Sequence, residues 1–197
     1  MVGAMKKKLI LSVCIAVAMA FSLPSHAQRL IPKQKGIEVV GSVPLIKGEK
    51  FFAKDNFGVG VSLTRYLKRE NYSFVGVEYE QQNMPYRDYG VKLKDALLHL
   101  GYMHPILSDN GKNVFIYGGI SALGGYEELN GDKKLLPDGA TLLDRSRFVY
   151  GGAVHGSVEV FLTDRLLFLV KAQGRMLFGS DVHRFRPALS AGFRFNF

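Results

Sequence analysis

His155, Ser157 and Glu159 place a base, a hydroxyl and a carboxylate two residues apart, so on an extended strand all three share one face. Those are the groups of a hydrolase that activates a nucleophile. Along one strand, however, the first and last stand ~13 Å apart, too far for a relay of protons. Their phase also turns them to the polar face of the strand. They are read as interior polar residues, and no catalytic role is assigned. A larger set consists of Glu78, Glu80, Glu159, Lys171, Arg175 and Arg194, which fall on the inward faces of four predicted strands. An unpaired buried charge costs several kcal/mol, so these six are expected to pair and to plug the interior. The alternative is a small pore lined by the same charges.

Other chemistries find little support. The histidines are His26, His99, His104, His155 and His183, and the single cysteine is Cys14. No two of the later histidines sit at i, i+2 on one strand face, so no metal site and no cofactor is expected. Gly118-Gly119 and Gly124-Gly125 lie within a predicted strand rather than ahead of a helix, which excludes a phosphate loop. Positive charge is spread through loops and interior, and no direct nucleic-acid binding is expected.

The elements that carry these residues alternate with period two. Predicted strands run over 36–45, 57–66, 72–81, 93–106, 114–126, 147–162, 166–178 and 188–197. In the second, Phe57, Val59, Val61 and Leu63 oppose Gly58, Gly60, Ser62 and Thr64. Small inward residues suit a narrow barrel. The first, third, fifth and seventh connections are longer, notably Gln82–Lys92 and Glu127–Arg145, and the second, fourth and sixth are tight. Long extracellular loops, short periplasmic turns and an even strand number are the pattern of an outer-membrane barrel. The reading is therefore all-β: an eight-stranded antiparallel up-and-down outer-membrane β-barrel over 36–197. The competing reading is a soluble sheet with its apolar face covered.

The ends of the chain agree with export and lipid. Lys6, Lys7 and Lys8 precede an apolar run from Leu9 to Phe21, too short to span a bilayer comfortably. Ser25-His26-Ala27 supplies small residues for cleavage between Ala27 and Gln28, making 1–27 a signal peptide. A lipoprotein signal on Cys14 is disfavoured, because Cys14 lies inside the apolar run. Cleavage takes three lysines from a total of 26 basic residues, leaving 23 against 17 acidic ones, a balance of +6. Gln28–Lys35, basic and interrupted by Pro32, is expected to be a periplasmic tail, solvated or docked on another protein. At the other end Ser190, Gly192, Phe193, Phe195 and the final Phe197 form the polar–Gly–aromatic pattern of a barrel sorting signal, with the aromatics on the lipid face.

Two resemblances bear on function. His155-x-Ser157 is similar to a fragment of the site in outer-membrane lipid A deacylases, but there the site faces outward. More broadly, the stretches 28–36 (Gln-Arg-Leu-Ile-Pro-Lys-Gln-Lys-Gly), 78–82, 101–105, 124–128, 136–140 and 184–188 resemble the TraO family of conjugative transposons. That resemblance implies an envelope component of a type IV secretion-like transfer apparatus, with outer-membrane lipid and other transfer proteins as its partners. It carries over no catalytic residue. The alternative is a free-standing small barrel, structural or lipid-modifying.

Overall fold

The computed structural model describes residues 30–45, 55–86, 89–132, 146–180 and 183–197. Eight strands follow one another around a closed antiparallel barrel: β1 (Lys35–Pro44), β2 (Phe57–Tyr66), β3 (Tyr72–Tyr86), β4 (Tyr89–Ser108), β5 (Val114–Leu129), β6 (Ser146–Phe161), β7 (Leu166–Phe178) and β8 (Phe185–Asn196). Each strand pairs with its neighbour in sequence, and β8 closes onto β1 from Gly36↔Asn196 to Pro44↔Ala188. Lys35 and Phe197 exchange backbone hydrogen bonds at the seam (2.8 and 3.2 Å). Closure leaves no open edge along the seam, as a bilayer requires. The signal peptide and its Ala27–Gln28 site lie outside the described residues.

The alternation turns the usual globular pattern inside out. Val77, Leu100, Ile120 and Val154 are each at least 60% exposed on the outer face, whereas Glu80, Glu159, Arg175 and Arg194 are at most 1% exposed inside. An outward apolar belt around a polar interior is what lipid on one side and a confined lumen on the other demand. Aromatic rings border the belt at both ends. Phe168, Phe193, Phe195, Phe197 and Tyr102 mark the end with the chain termini. Phe57, Tyr79, Tyr126, Phe148, Tyr150 and Phe178 mark the loop end.

Three expectations from the sequence are corrected. Gln82–Lys92 is not a loop: β3 and β4 stay paired from Gln82↔Leu93 to Tyr86↔Tyr89. With Tyr86↔Tyr89 closing the hairpin, Pro85 falls at a position whose missing N–H points to the open edge, where proline is tolerated. The neighbouring edge group, the Asn83 N–H, is capped by Asn56 Oδ1 at 2.6 Å. Glu127–Arg145 likewise retracts, since β5 and β6 pair up to Glu128↔Ser146; residues 133–145 lie outside the described residues. β8 begins at Phe185 rather than Ala188, which brings Arg186 into the wall.

The basic segment before β1 also differs from a solvated tail. The Lys33 N–H donates to the Tyr66 carbonyl at 2.9 Å, and Leu30 is buried among Tyr66, Tyr72, Phe115, Tyr117, Phe161 and Leu167. The lumen floor at this end is aromatic, and Leu30 stoppers it. Leu30→Ala is expected to lower unfolding stability in urea by about 2–3 kcal/mol, the cost of a leucine-sized void. An unchanged midpoint would show that the segment is not docked.

At the same end the β4–β5 turn is held by Asp109, whose carboxylate accepts from the N–H groups of Asn113 and Val114 (2.7 Å each) and Gly111 (3.2 Å). Partial burial pushes its pKa up, but those N–H groups outweigh burial and leave it below the ordinary aspartate value. The left-handed position in this turn is Lys112 (φ 53°), not the glycine.

Candidate functional site

The feature with chemical content is the lumen. Near the terminal end Arg194 of β8 is fully buried. Its Nε and Nη2 donate to Glu38 Oε2 of β1 (3.0 and 2.6 Å), and its Nη1 and Nη2 donate to Glu159 of β6 (2.6 and 3.0 Å). Two tyrosine hydroxyls, Tyr66 and Tyr72, accept from the same guanidinium at 2.8 Å, and Tyr72 donates onward to Glu159 at 2.6 Å. One planar fork thus satisfies two carboxylates at once, which a lysine could not do with this geometry.

In the middle, Lys171 pairs with Glu38, while Gln173 Nε2 donates to both oxygens of Glu78 (3.0 and 3.2 Å) and His99 Nε2 lies 3.0 Å from Glu78. Arg175 of β7 then reaches across to Glu80 of β3 with Nη2 at 2.5 and 2.6 Å from its two oxygens. At the loop end Arg186 of β8 donates to Asp95 of β4 (2.6 Å) and Glu127 of β5 (2.5 Å). In an eight-stranded barrel β7 and β3 are diametrically opposed, as are β8 and β4. Arg175–Glu80 and Arg186–Asp95 are therefore struts across the full width of the lumen. Between the Arg194 and Arg175 levels remains a cavity of about 40 Å³ lined by Glu38, Glu78, His99, His155 and Lys171. It has room for a few waters at most.

All six lumen charges named from the sequence, Glu78, Glu80, Glu159, Lys171, Arg175 and Arg194, face inward. Four partners were missed. Glu38 sits between Ile37 and Val39 in a strand whose phase already pointed it inward. Asp95 sits within the predicted fourth strand on the same face as Leu97 and His99, whereas Glu127 and Arg186 lie just beyond the predicted strand ends. The His155-x-Ser157-x-Glu159 face is divided among different partners. His155 Nε2 lies 2.8 Å from Ser121 Oγ, and Ser157 donates to Glu159 at 3.2 Å, so the three do not form one relay. Among the described residues no group of three His, Cys, Asp or Glu is placed to hold a metal ion.

In the terminal strand Ser190 and Gly192 face the lumen side, and Phe193, Phe195 and Phe197 are about half exposed on the outer face. They flank the β8–β1 seam.

Known structures share this architecture. The attachment invasion locus protein Ail of Yersinia pestis, solved in complex with the heparin analogue sucrose octasulfate, is 12% identical. That match covers 85% of this chain and 100% of that one, with a TM-score of 0.52. Neisserial surface protein A is 15% identical, covering 83% of this chain and 96% of that one, with a TM-score of 0.51. At such identity the likeness is one of fold, that of small eight-stranded outer-membrane barrels. No curated protein matches the chain. The model of the family described as conjugative transposon protein TraO matches residues 31–197, through every strand of the barrel. The chain is thus a member of the TraO family of conjugative transposon proteins.

Proposed function

We propose that this protein is an outer-membrane component of the apparatus that transfers a conjugative transposon, exported through a signal peptide cleaved after Ala27. It acts as an anchor and interaction scaffold rather than as a conduit or an enzyme. The observation that carries this reading is the pair of ion-pair struts across the barrel width, Arg175–Glu80 and Arg186–Asp95. They cross the lumen where a transported molecule would have to pass, and buried charge pairs of this geometry resist opening. The chemistry of His155 and Glu159 points the same way, since each is engaged with a structural partner. Contacts to other transfer proteins then fall to surfaces outside the lumen: the raised β3–β6 wall at the loop end, or the periplasmic face around the docked N-terminal segment.

Heat modifiability joined to partner capture tests this. Outer-membrane fractions are run on gels with and without boiling, for the wild type and for a chain lacking Phe197, and the tagged wild type is used to co-purify transfer proteins. The expected result is a faster unboiled band confined to the membrane fraction, diminished on deletion, with other envelope transfer proteins retained. A soluble protein with no band shift overturns the barrel in the membrane. A barrel that retains no transfer protein, while its deletion alters lipid A or phospholipid, overturns the scaffold in favour of a lipid enzyme.

A further inference from the structure

One corner of the terminal end carries Lys33, Lys35, Arg65, Lys68 and Arg69, all exposed. Among the described residues none of the five side chains has an ion-pair partner; the nearby Glu70 is taken by Lys112 of the β4–β5 turn. Two of the five face each other: Lys35 of β1 lies directly opposite Arg65 of β2. Both backbone groups of Lys35 bond to Phe197 on the other side, so toward Arg65 it forms the non-hydrogen-bonded pair, the closer of the two antiparallel types. Like charges set directly opposite are destabilising unless an anion lies between them. With no acidic partner among the described residues, the corner stays strongly positive.

The height of this pair selects the anion. Lys35 and Arg65 point outward on the row just below Ile37 and Leu63 of the apolar belt. That row runs on through Phe197 on one side and through Ser73 to Tyr102 on the other, so aromatic rings flank the cations. Aromatic rings at the edge of an apolar belt mark the depth of lipid headgroups. We infer that Lys35 and Arg65 clamp the phosphate of an anionic phospholipid of the adjoining leaflet, with Lys33, Lys68 and Arg69 supplying the surrounding positive field. This inference rests on the membrane placement proposed above.

The test uses the full mature chain folded in non-ionic detergent, mixed with equal amounts of phosphatidylglycerol and phosphatidylcholine and examined by native mass spectrometry. Wild type is expected to retain phosphatidylglycerol about twenty-five-fold over phosphatidylcholine, roughly fivefold for each of the two clamping cations. Lys35→Gln with Arg65→Gln removes the preference. Lys68→Gln with Arg69→Gln, on a turn outside the sheet, reduces it in part. Lys92→Gln with Lys94→Gln, at the opposite end, leaves it unchanged. A wild type that retains both lipids equally, or a preference that survives the Lys35/Arg65 change, overturns the clamp. A preference abolished by excess inorganic phosphate would make the corner a site for the free anion and overturn the lipid assignment. Failure to reach the heat-modifiable form in detergent overturns the membrane reading instead, and the two failures are told apart on the same sample.

Discussion

Arg194→Met is expected to destabilise the barrel by about 3–5 kcal/mol, the largest loss from any single side chain in the lumen. The reason is less the contact removed than what remains. Glu38 and Glu159 would stay buried with their main counter-charge gone, and the hydroxyls of Tyr66 and Tyr72 would lose a donor. Urea unfolding of the folded barrel in detergent, followed by the gel shift, measures it. Adding Glu38→Gln and Glu159→Gln to the variant should recover much of the loss, because neutral amides are far cheaper to bury than orphaned carboxylates. A double-mutant cycle between Arg194 and Glu159 should show coupling beyond 1 kcal/mol. Coupling near zero would mean that the lumen is wet enough to screen the pair.

Gly192→Val is expected to open the β8–β1 seam. A Cβ at residue 192 would meet the Val39 carbonyl oxygen at 2.0 Å and Val40 Cα at 2.7 Å, both backbone atoms of the partner strand. No rotamer relieves such a clash, so the strands must separate. The cost should reach about 3 kcal/mol or more, the upper range of overpacking. The compact unboiled band should weaken accordingly. Gly156→Ala is the matched control, since a Cβ there meets nothing within 4 Å; it should change stability by less than about 0.5 kcal/mol. A Gly192→Val barrel as stable as wild type would show that the seam slides to accommodate the side chain. Gly125 and Gly151 stand in the same relation to Ala96 and Met176, so the strands bend inward where glycine lets a neighbour's backbone approach.

Strand number, order and facing were readable because lipid imposes a period of two with high contrast. β2 and β7 have the bounds read from the sequence, Phe57–Tyr66 and Leu166–Phe178. The contrast fails above the belt. There Gln81, Gln82, Asn83, Lys92 and Lys94 make both faces of the β3–β4 wall largely polar, and a paired strand looks like a loop. The same failure hid Glu127 and Arg186. Leu30 escaped for a different reason: Leu30 and Ile31, cut off by Pro32, are too short a run to show a period, and the cluster that buries Leu30 is assembled from six separate strands. Which carboxylate each arginine meets was unreadable in principle, because facing across a barrel depends on closure and stagger, not on local pattern.

The distribution of buried charge along the chain has a consequence for assembly. Among the described residues the buried arginines, Arg175, Arg186 and Arg194, all come from β7 and β8. The buried carboxylates among the same residues, Glu38, Glu78, Glu80, Asp95, Glu127 and Glu159, all come from strands before them. The first six strands alone would form a sheet with a self-repelling acidic concavity, and the last hairpin arrives as its counter-charge. Two of the contacts that neutralise it span 95 and 91 residues of chain. Closure of this barrel therefore brings the acidic wall its counter-charge only when the C-terminal hairpin docks. A chain truncated before β7 would lack all three of those arginines.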